Sequence, residues 1–232
     1  MMDVVYVCRD GSNPELRYSL RTLVNVEHER VWIFGGAPSW INLAEVTLQR
    51  RRQGGSPYSS TRGHIAAACN TADVSDPFML WNDDFYAMRP VGAMPIYHRG
   101  PLESVLETYA TLRTPWANGM RETAALMERR EMLEGAMCYD VHLPLVVYKK
   151  PMLEALRLAK NVAHEVVHLR TLYGAVVGFY GQEHHDPKMT RRTHPFPRGA
   201  WLSSSDDTFR STVEPVLRYL FPDKSPYERE TK

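Results

Sequence analysis

The chain has 232 residues, 44% hydrophobic and 24% charged, with a formal net charge of +1. Such a composition is ordinary for a globular protein of one large or two small domains, and the near-zero charge gives no overall electrostatic argument for nucleic-acid binding while leaving room for a local basic patch. Cys8, Cys69 and Cys138 are odd in number and far apart, which argues against a disulfide framework, and no apolar run reaches the roughly 18 residues of a membrane span.

Residues 3–8 form a β-branched run that reads as a first buried strand. The chain enters this run at once, so no signal peptide is expected, and with the unpaired cysteines this points to a reducing, cytoplasmic location. Residues 9–14 are dense in turn formers. Residues 15–26 carry Leu16, Leu20 and Leu23 on one helical face, with Asn13 as N-cap and Pro14 at the first helical position. Residues 30–34 read as a second strand, stopped by Gly35 and Gly36. Strand, loop, helix and strand in that order open an α/β domain. The pattern then predicts a short helix over 40–53, ending in Arg50, Arg51 and Arg52. The Gly- and Ser-rich residues 54–60 read as a flexible segment, a candidate lid or a plain linker. A helix over 61–73 leads into a third strand, 78–85, and a short strand is expected at 94–97. Residues 102–135 are helical with a break near Pro115, and their 122–134 part is amphipathic. Residues 151–172 are helical again. The polar stretch 181–199 reads as a loop over a site. A last strand, 200–204, precedes a helix over 208–220.

The most informative stretch is the third strand. Four apolar residues end in Asn82, Asp83 and Asp84. Acidic groups at a sheet edge are costly unless something positive meets them, and a divalent metal carrying a nucleotide phosphate is a suitable counter-charge. A solvated turn accounts for the same residues. Asp10, Gly11, Ser12 and Asn13 follow the first strand, where a Gly-containing loop opening a helix offers backbone N–H groups to a phosphate. Asp140 and His142 form a candidate acid/base pair near a strand end. Ser205, Asp206 and Asp207 start the last helix, where Ser and Asp are also the expected caps. His164, Glu165 and His168 satisfy HExxH inside the expected helix, with Glu183, His184 or His185 as a third zinc ligand. That pattern is loose in a chain with nine histidines.

Taken in order, these clusters resemble the Stealth family of sugar-phosphate transferases, which includes bacterial capsule polymerases and the N-acetylglucosamine-1-phosphotransferase type. Val4 through Pro14 is similar to that family's strand and VDGSDP motif, with Asn13 in place of Asp. Glu15-Leu16-Arg17-Tyr18-Ser19-Leu20-Arg21 is similar to its ELRYSLR helix. Asn82-Asp83-Asp84-Phe85 matches its NDD core, and His142-Leu143-Pro144 its His-x-Pro. Arg170 stands where the family has a further arginine. Ser205-Asp206-Asp207 and the FPxxSxxE-like ending at Phe221, Pro222, Ser225 and Glu228 resemble its fourth region.

The resemblance implies one α/β domain over 1–232, a GT-A-like (Rossmann-like) three-layer sandwich around a central, mostly parallel sheet. Residues 1–100 would form its nucleotide- and metal-binding half and 101–232 its acceptor half. It implies a nucleotide-sugar donor, a Mg²⁺ or Mn²⁺ cofactor, and transfer of a sugar-1-phosphate to a hydroxyl acceptor. On that reading Asp83 and Asp84 hold the metal. Asp10, Gly11, Ser12, Asn82, Arg17 and Arg21 bind the donor, with Arg170 a further phosphate ligand. His142 is the general base, and Asp206 or Asp207 completes the metal or acceptor site. Transfer of the sugar itself to a glycan, protein or modified-DNA acceptor is the alternative. A zinc peptidase and a non-catalytic glycan-binding module are the rivals. The compact chain would suit a bacteriophage. The arginine run at 50–52 and the 188–198 loop have two readings, contact with nucleic-acid phosphates or solvated surface.

Overall fold

The computed structural model describes residues 1–51, 54–191 and 199–229. Its central sheet has five strands in the order β3-β2-β1-β4-β7. β1 (Val4–Cys8), β2 (Val31–Gly35), β3 (Val46–Arg50) and β4 (Phe78–Trp81) run parallel, and β7 (Leu145–Val147) pairs antiparallel to β4. The sheet is thus mixed but mostly parallel, as expected. Strands buried on both faces need apolar residues at successive positions. In β1, Val4, Tyr6 and Cys8 face one core, while Val5 faces the other and Val7 packs against it. The Val5 face packs beneath α2 (Pro57–Asn70), α3 (Leu102–Thr108), α4 (Pro115–Arg129), α5 (Lys149–Ala159) and α6 (Leu169–Val177). The Val4 face packs beneath α1 (Pro14–Thr22) and the residues of a small second sheet. That sheet is β5-β10-β9, formed by β5 (Phe85–Ala87), β9 (Lys188–Met189) and β10 (Trp201–Ser204).

Several elements depart from the sequence reading. Residues 46–50 are a strand, not the end of a helix, because each pairs in register with β2 from Val31↔Val46 to Gly35↔Arg50. The segment 54–60 is partly helical: Ser56 caps α2 and Pro57 opens it. The candidate lid therefore shortens to residues around Gly54 and Gly55. The expected 78–85 strand divides. β4 stops at Trp81, residues 82–84 cross over, and Phe85 starts a strand of the other sheet. The 151–172 helix also divides, with a turn over 160–168 between α5 and α6. That turn packs on α4, where Gly119 leaves room for the Val166 carbonyl; a Cβ there would lie 2.3 Å from its oxygen. The short strand expected at 94–97 is β6 (Tyr97–His98), paired with β8 (Gln182–Glu183), so the 181–199 stretch carries two short strands where a loop was expected. The last helix runs through α7 (Asp206–Thr208), a wider π turn and α8 (Glu214–Leu220). Arg52 and most of the basic 188–198 loop lie outside the described residues.

Candidate active site

In an open parallel sheet, ligands bind beyond the carboxyl ends of the strands where the strand order reverses. Here the order reverses between β1 and β4. The 9–13 loop leaves β1 at that point, and Asn82-Asp83-Asp84 leave β4 beside it. Two buried donors fix the 82–84 turn by converging on one carbonyl. Trp81 Nε1 donates to Phe85 O at 3.1 Å and Ser19 Oγ donates to the same oxygen at 2.6 Å. With the backbone so held, the three polar side chains turn into a cleft of about 860 Å³.

Each carboxylate has its own partners. Asn13 caps α1 by accepting from Leu16 N–H at 3.1 Å, and its Nδ2 donates to Asp83 Oδ2 at 2.7 Å. An Asp at position 13 would have no proton to donate there, so the amide ties the β1 loop to the β4 end. Asp84 Oδ2 accepts from Ser203 Oγ at 3.0 Å and lies 3.5 Å from Lys188 Nζ. Sheet register brings these together, since Ser203 pairs with Phe85 on one side and with Lys188 on the other. Burial and the neighbouring Asp84 push Asp83 up to about 6, the Asn13 hydrogen bond opposing them. Glu15 is also raised, chiefly by burial. The cleft wall continues through Asp206 and Asp207, and Arg9 lies 3.7 Å from Asp206.

Asp10, Gly11 and Ser12 line an adjoining recess of about 450 Å³ at the start of α1, which shares Arg9, Glu15 and Asp206 with the main cleft. Gly11 has φ +135°, a region that favours glycine, and a Cβ on Gly36 would lie 2.0 Å from Asp10 Oδ1. The glycines that end β2 therefore make room for the β1 loop.

His142 reaches the same end of the sheet by strand direction. β7 is antiparallel to β4 with Leu80 opposite Leu145, so the residues preceding β7 lie beside those following β4. His142 lines two cavities, one of about 310 Å³ shared with Asn82 and Arg170, the other of about 760 Å³ shared with Arg99, Trp116 and Lys188. Its Nδ1 is 2.9 Å from Asp186 Oδ2. Asp140 is not its partner, contrary to the acid/base pair expected from the sequence. Asp140 instead accepts from Thr171 Oγ1 at 2.6 Å and lies 3.2 Å from His168 Nδ1. Arg170 donates to the carbonyls of Val141 and Leu143, which flank His142, and its guanidinium sits 5.3 Å from the Phe85 ring centroid. Its Nη2 is buried without a hydrogen-bond partner among the described residues.

Arg17 and Arg21 do not join this cluster. Arg21 holds Glu228 through Nε at 2.7 Å and Nη2 at 3.0 Å, and donates to the carbonyls of Phe221 and Pro222. Arg17 lies 3.4 Å from Glu228 and over Trp40, whose Nε1 reaches the Ser12 carbonyl at 3.2 Å. The two arginines anchor the C-terminal tail. The HExxH reading is corrected as well. His164 lies in the 160–168 turn, bonded to Val166 N–H at 3.1 Å, and His168 is buried with Nε2 3.0 Å from the Trp116 carbonyl. No helix presents the two imidazoles on one face. Among the described residues no group of three or more His, Cys, Asp or Glu side chains is arranged to hold a metal.

Sequence reasoning missed Lys188, Asp186, Glu15 and Arg9. Glu15 and Arg9 flank the loop that it singled out. Lys188 and Asp186 lie in the 181–199 stretch read as a loop over a site, but no local pattern singled them out, because only sheet pairing sets them against Asp84 and His142.

No family model matches the chain, and no curated protein matches it in sequence. Solved structures resemble it in fold. The galactosyltransferase LgtC, in complex with donor and acceptor sugar analogues, aligns over 97% of this chain and 96% of its own at 12% identity and a TM-score of 0.50. The apo structure of the bifunctional glycosyltransferase WbbM aligns over 75% of this chain at 12% identity and a TM-score of 0.48, and the chain spans 37% of that protein's length. The likeness to LgtC is one of fold: the chain has the mixed α/β architecture of GT-A glycosyltransferases. No helix among the described residues is long and apolar enough to cross a membrane.

Proposed function

We propose that the chain is a nucleotide-sugar-dependent transferase that moves a sugar to an acceptor hydroxyl. The observation that carries the reading is the Asp83–Asp84 pair at the strand-order reversal, facing a cleft large enough for a nucleotide sugar. The nucleotide would lie along the β1 loop, with Asp10, Gly11, Ser12 and Asn82 around it and the α1 N-terminus near its phosphates.

The carboxylate pair fits a divalent cation. Burial and mutual repulsion lift Asp83 well above its ordinary range, and a positive ion would relieve both. Mg²⁺ or Mn²⁺ needs only one or two protein carboxylates when phosphates supply further ligands. Asp83 and Asp84 would hold it, with Asp206 or Asp207 at the rim. When bound, it would neutralise the diphosphate and favour departure of the nucleotide. Lys188 would neutralise phosphate charge from the opposite wall. Arg170 Nη2, buried and unpaired, suits an oxygen of the donor or acceptor. His142 would take the proton of the attacking hydroxyl.

A second reading, transfer of the sugar-1-phosphate, rests on the order of the Stealth-like motifs, including the NDD turn and His142-Leu143-Pro144. One experiment separates the two. The protein is incubated with a panel of nucleotide sugars, Mn²⁺ and candidate acceptors, and nucleotide and adduct are read together. Nucleoside diphosphate with a glycosylated adduct means sugar transfer. Nucleoside monophosphate with a phosphosugar adduct means sugar-phosphate transfer. Absence of any adduct across a broad acceptor panel, with no donor bound, would overturn both.

A further inference from the structure

Among the described residues, one histidine has a carboxylate on one ring nitrogen and no hydrogen-bond partner on the other. His142 Nδ1 lies 3.0 and 2.9 Å from the two oxygens of Asp186, and its Nε2 makes no hydrogen bond among the described residues. His168 provides the contrast. Its Nδ1 lies beside Asp140, its Nε2 meets the Trp116 carbonyl, and its side chain is 2% exposed. The His142 side chain is 34% exposed and lines the cavities on both sides of it. One histidine is locked into the core, and the other is aimed by a carboxylate and left open.

We infer that Asp186 is a positioning residue that holds neutral His142 as the Nδ1–H tautomer, so that the Nε2 lone pair is the base facing the acceptor. This deepens the transferase reading and rests on it. Asp186 is itself well fixed. Its Oδ1 accepts from Lys188 N–H at 3.1 Å, and Arg99 lies 3.9 Å from Oδ2. Burial would raise the carboxyl, but the His142 hydrogen bond and charge, the Lys188 amide and Arg99 outweigh it and hold it at about 2. It therefore stays an acceptor at any working pH. Arg170 fixes the backbone on both sides of the imidazole, so ring position and ring tautomer are set by different residues. In the transfer step, Nε2 takes the hydroxyl proton while the acceptor oxygen bonds to the donor's electrophilic centre. The bond from that centre to the nucleotide breaks, and its electron pair leaves with the nucleotide phosphate. The imidazolium then returns its proton to solvent.

The test reads the tautomer directly, by ¹⁵N–¹H spectra of histidine-labelled protein at about pH 8, where the free imidazole is neutral. The parent is expected to show Nδ1–H at His142. Asp186→Asn keeps shape but reverses the bond. The Asn oxygen remains with the Lys188 N–H, so its NH₂ replaces Oδ2, the nearer of the two oxygens to Nδ1, and favours the Nε2–H form. That variant is expected to lose about 100-fold or more in kcat with donor KM little changed, as a misset tautomer does elsewhere. An Nε2–H tautomer in the parent overturns the inference, whether or not the variant folds. So does an unchanged tautomer and kcat in a folded Asp186→Asn. The spectra need no donor, so failure to turn over any nucleotide sugar would count against the transferase reading, not against the tautomer.

Discussion

Asp83→Asn tests whether the carboxylate pair is held together at a cost to stability. In the parent, burial and Asp84 raise Asp83 from an ordinary 3.8 to about 6. The native state therefore binds this proton more tightly than the unfolded chain does. The stability the group contributes is fully present below its unfolded value, and it is lost as pH rises through about 6. A displacement of that size corresponds to about 3 kcal/mol at neutral pH. Solvent at the cleft mouth screens part of it, leaving an expected 1–2 kcal/mol, order of magnitude. The Asn side chain still offers an oxygen to Asn13 Nδ2, so the hydrogen bond survives while the charge goes. Calorimetry in EDTA should show Asp83→Asn unfolding roughly 3–6 °C above the parent at about pH 8, with the gap closing near pH 4. On the proposed metal assignment, the same variant should also lose donor turnover. A variant no more stable than the parent at the higher pH, or a gap that ignores acidification, would refute the account of the site.

Arg21→Met should destabilise the fold by about 2 kcal/mol in urea titration, because buried Glu228 loses its bidentate partner and keeps only Arg17 and Ser225 beside it. Its donor KM should stay at the parental value; a raised KM with unchanged stability would return Arg21 to the phosphate site. His164→Ala should leave metal content and melting temperature as they are, whereas His168→Ala should lower stability by about 2 kcal/mol as buried Asp140 and the Trp116 carbonyl lose the imidazole between them. Tightly held zinc, present in the parent and lost in His164→Ala, would restore the peptidase reading.

What the sequence determined by itself was the local material of the site. The β-branched run into Asp10-Gly11-Ser12-Asn13, the Pro14 helix start and the apolar strand closed by Asn82-Asp83-Asp84 are contiguous. Propensity, capping and turn chemistry act over a few residues, so a reader can see them in one stretch of chain. The same locality explains the errors. Residues 46–50 become a strand only because β2 lies alongside. The 160–168 turn packs its backbone against Gly119 of another helix, a neighbour that its own residues do not announce. Arg17 and Arg21 sit on the helix that the motif marked, yet Glu228, some two hundred residues later, claims both. Tertiary structure alone decided which groups face one another. Antiparallel β7 carries His142 to the acidic end of β4, the β5-β10-β9 register sets Ser203 and Lys188 against Asp84, and Asp186 follows two residues before Lys188. Charge and hydrogen-bond pairing depend on separations of a few ångströms, and only the sheet topology creates those separations between segments distant in the chain.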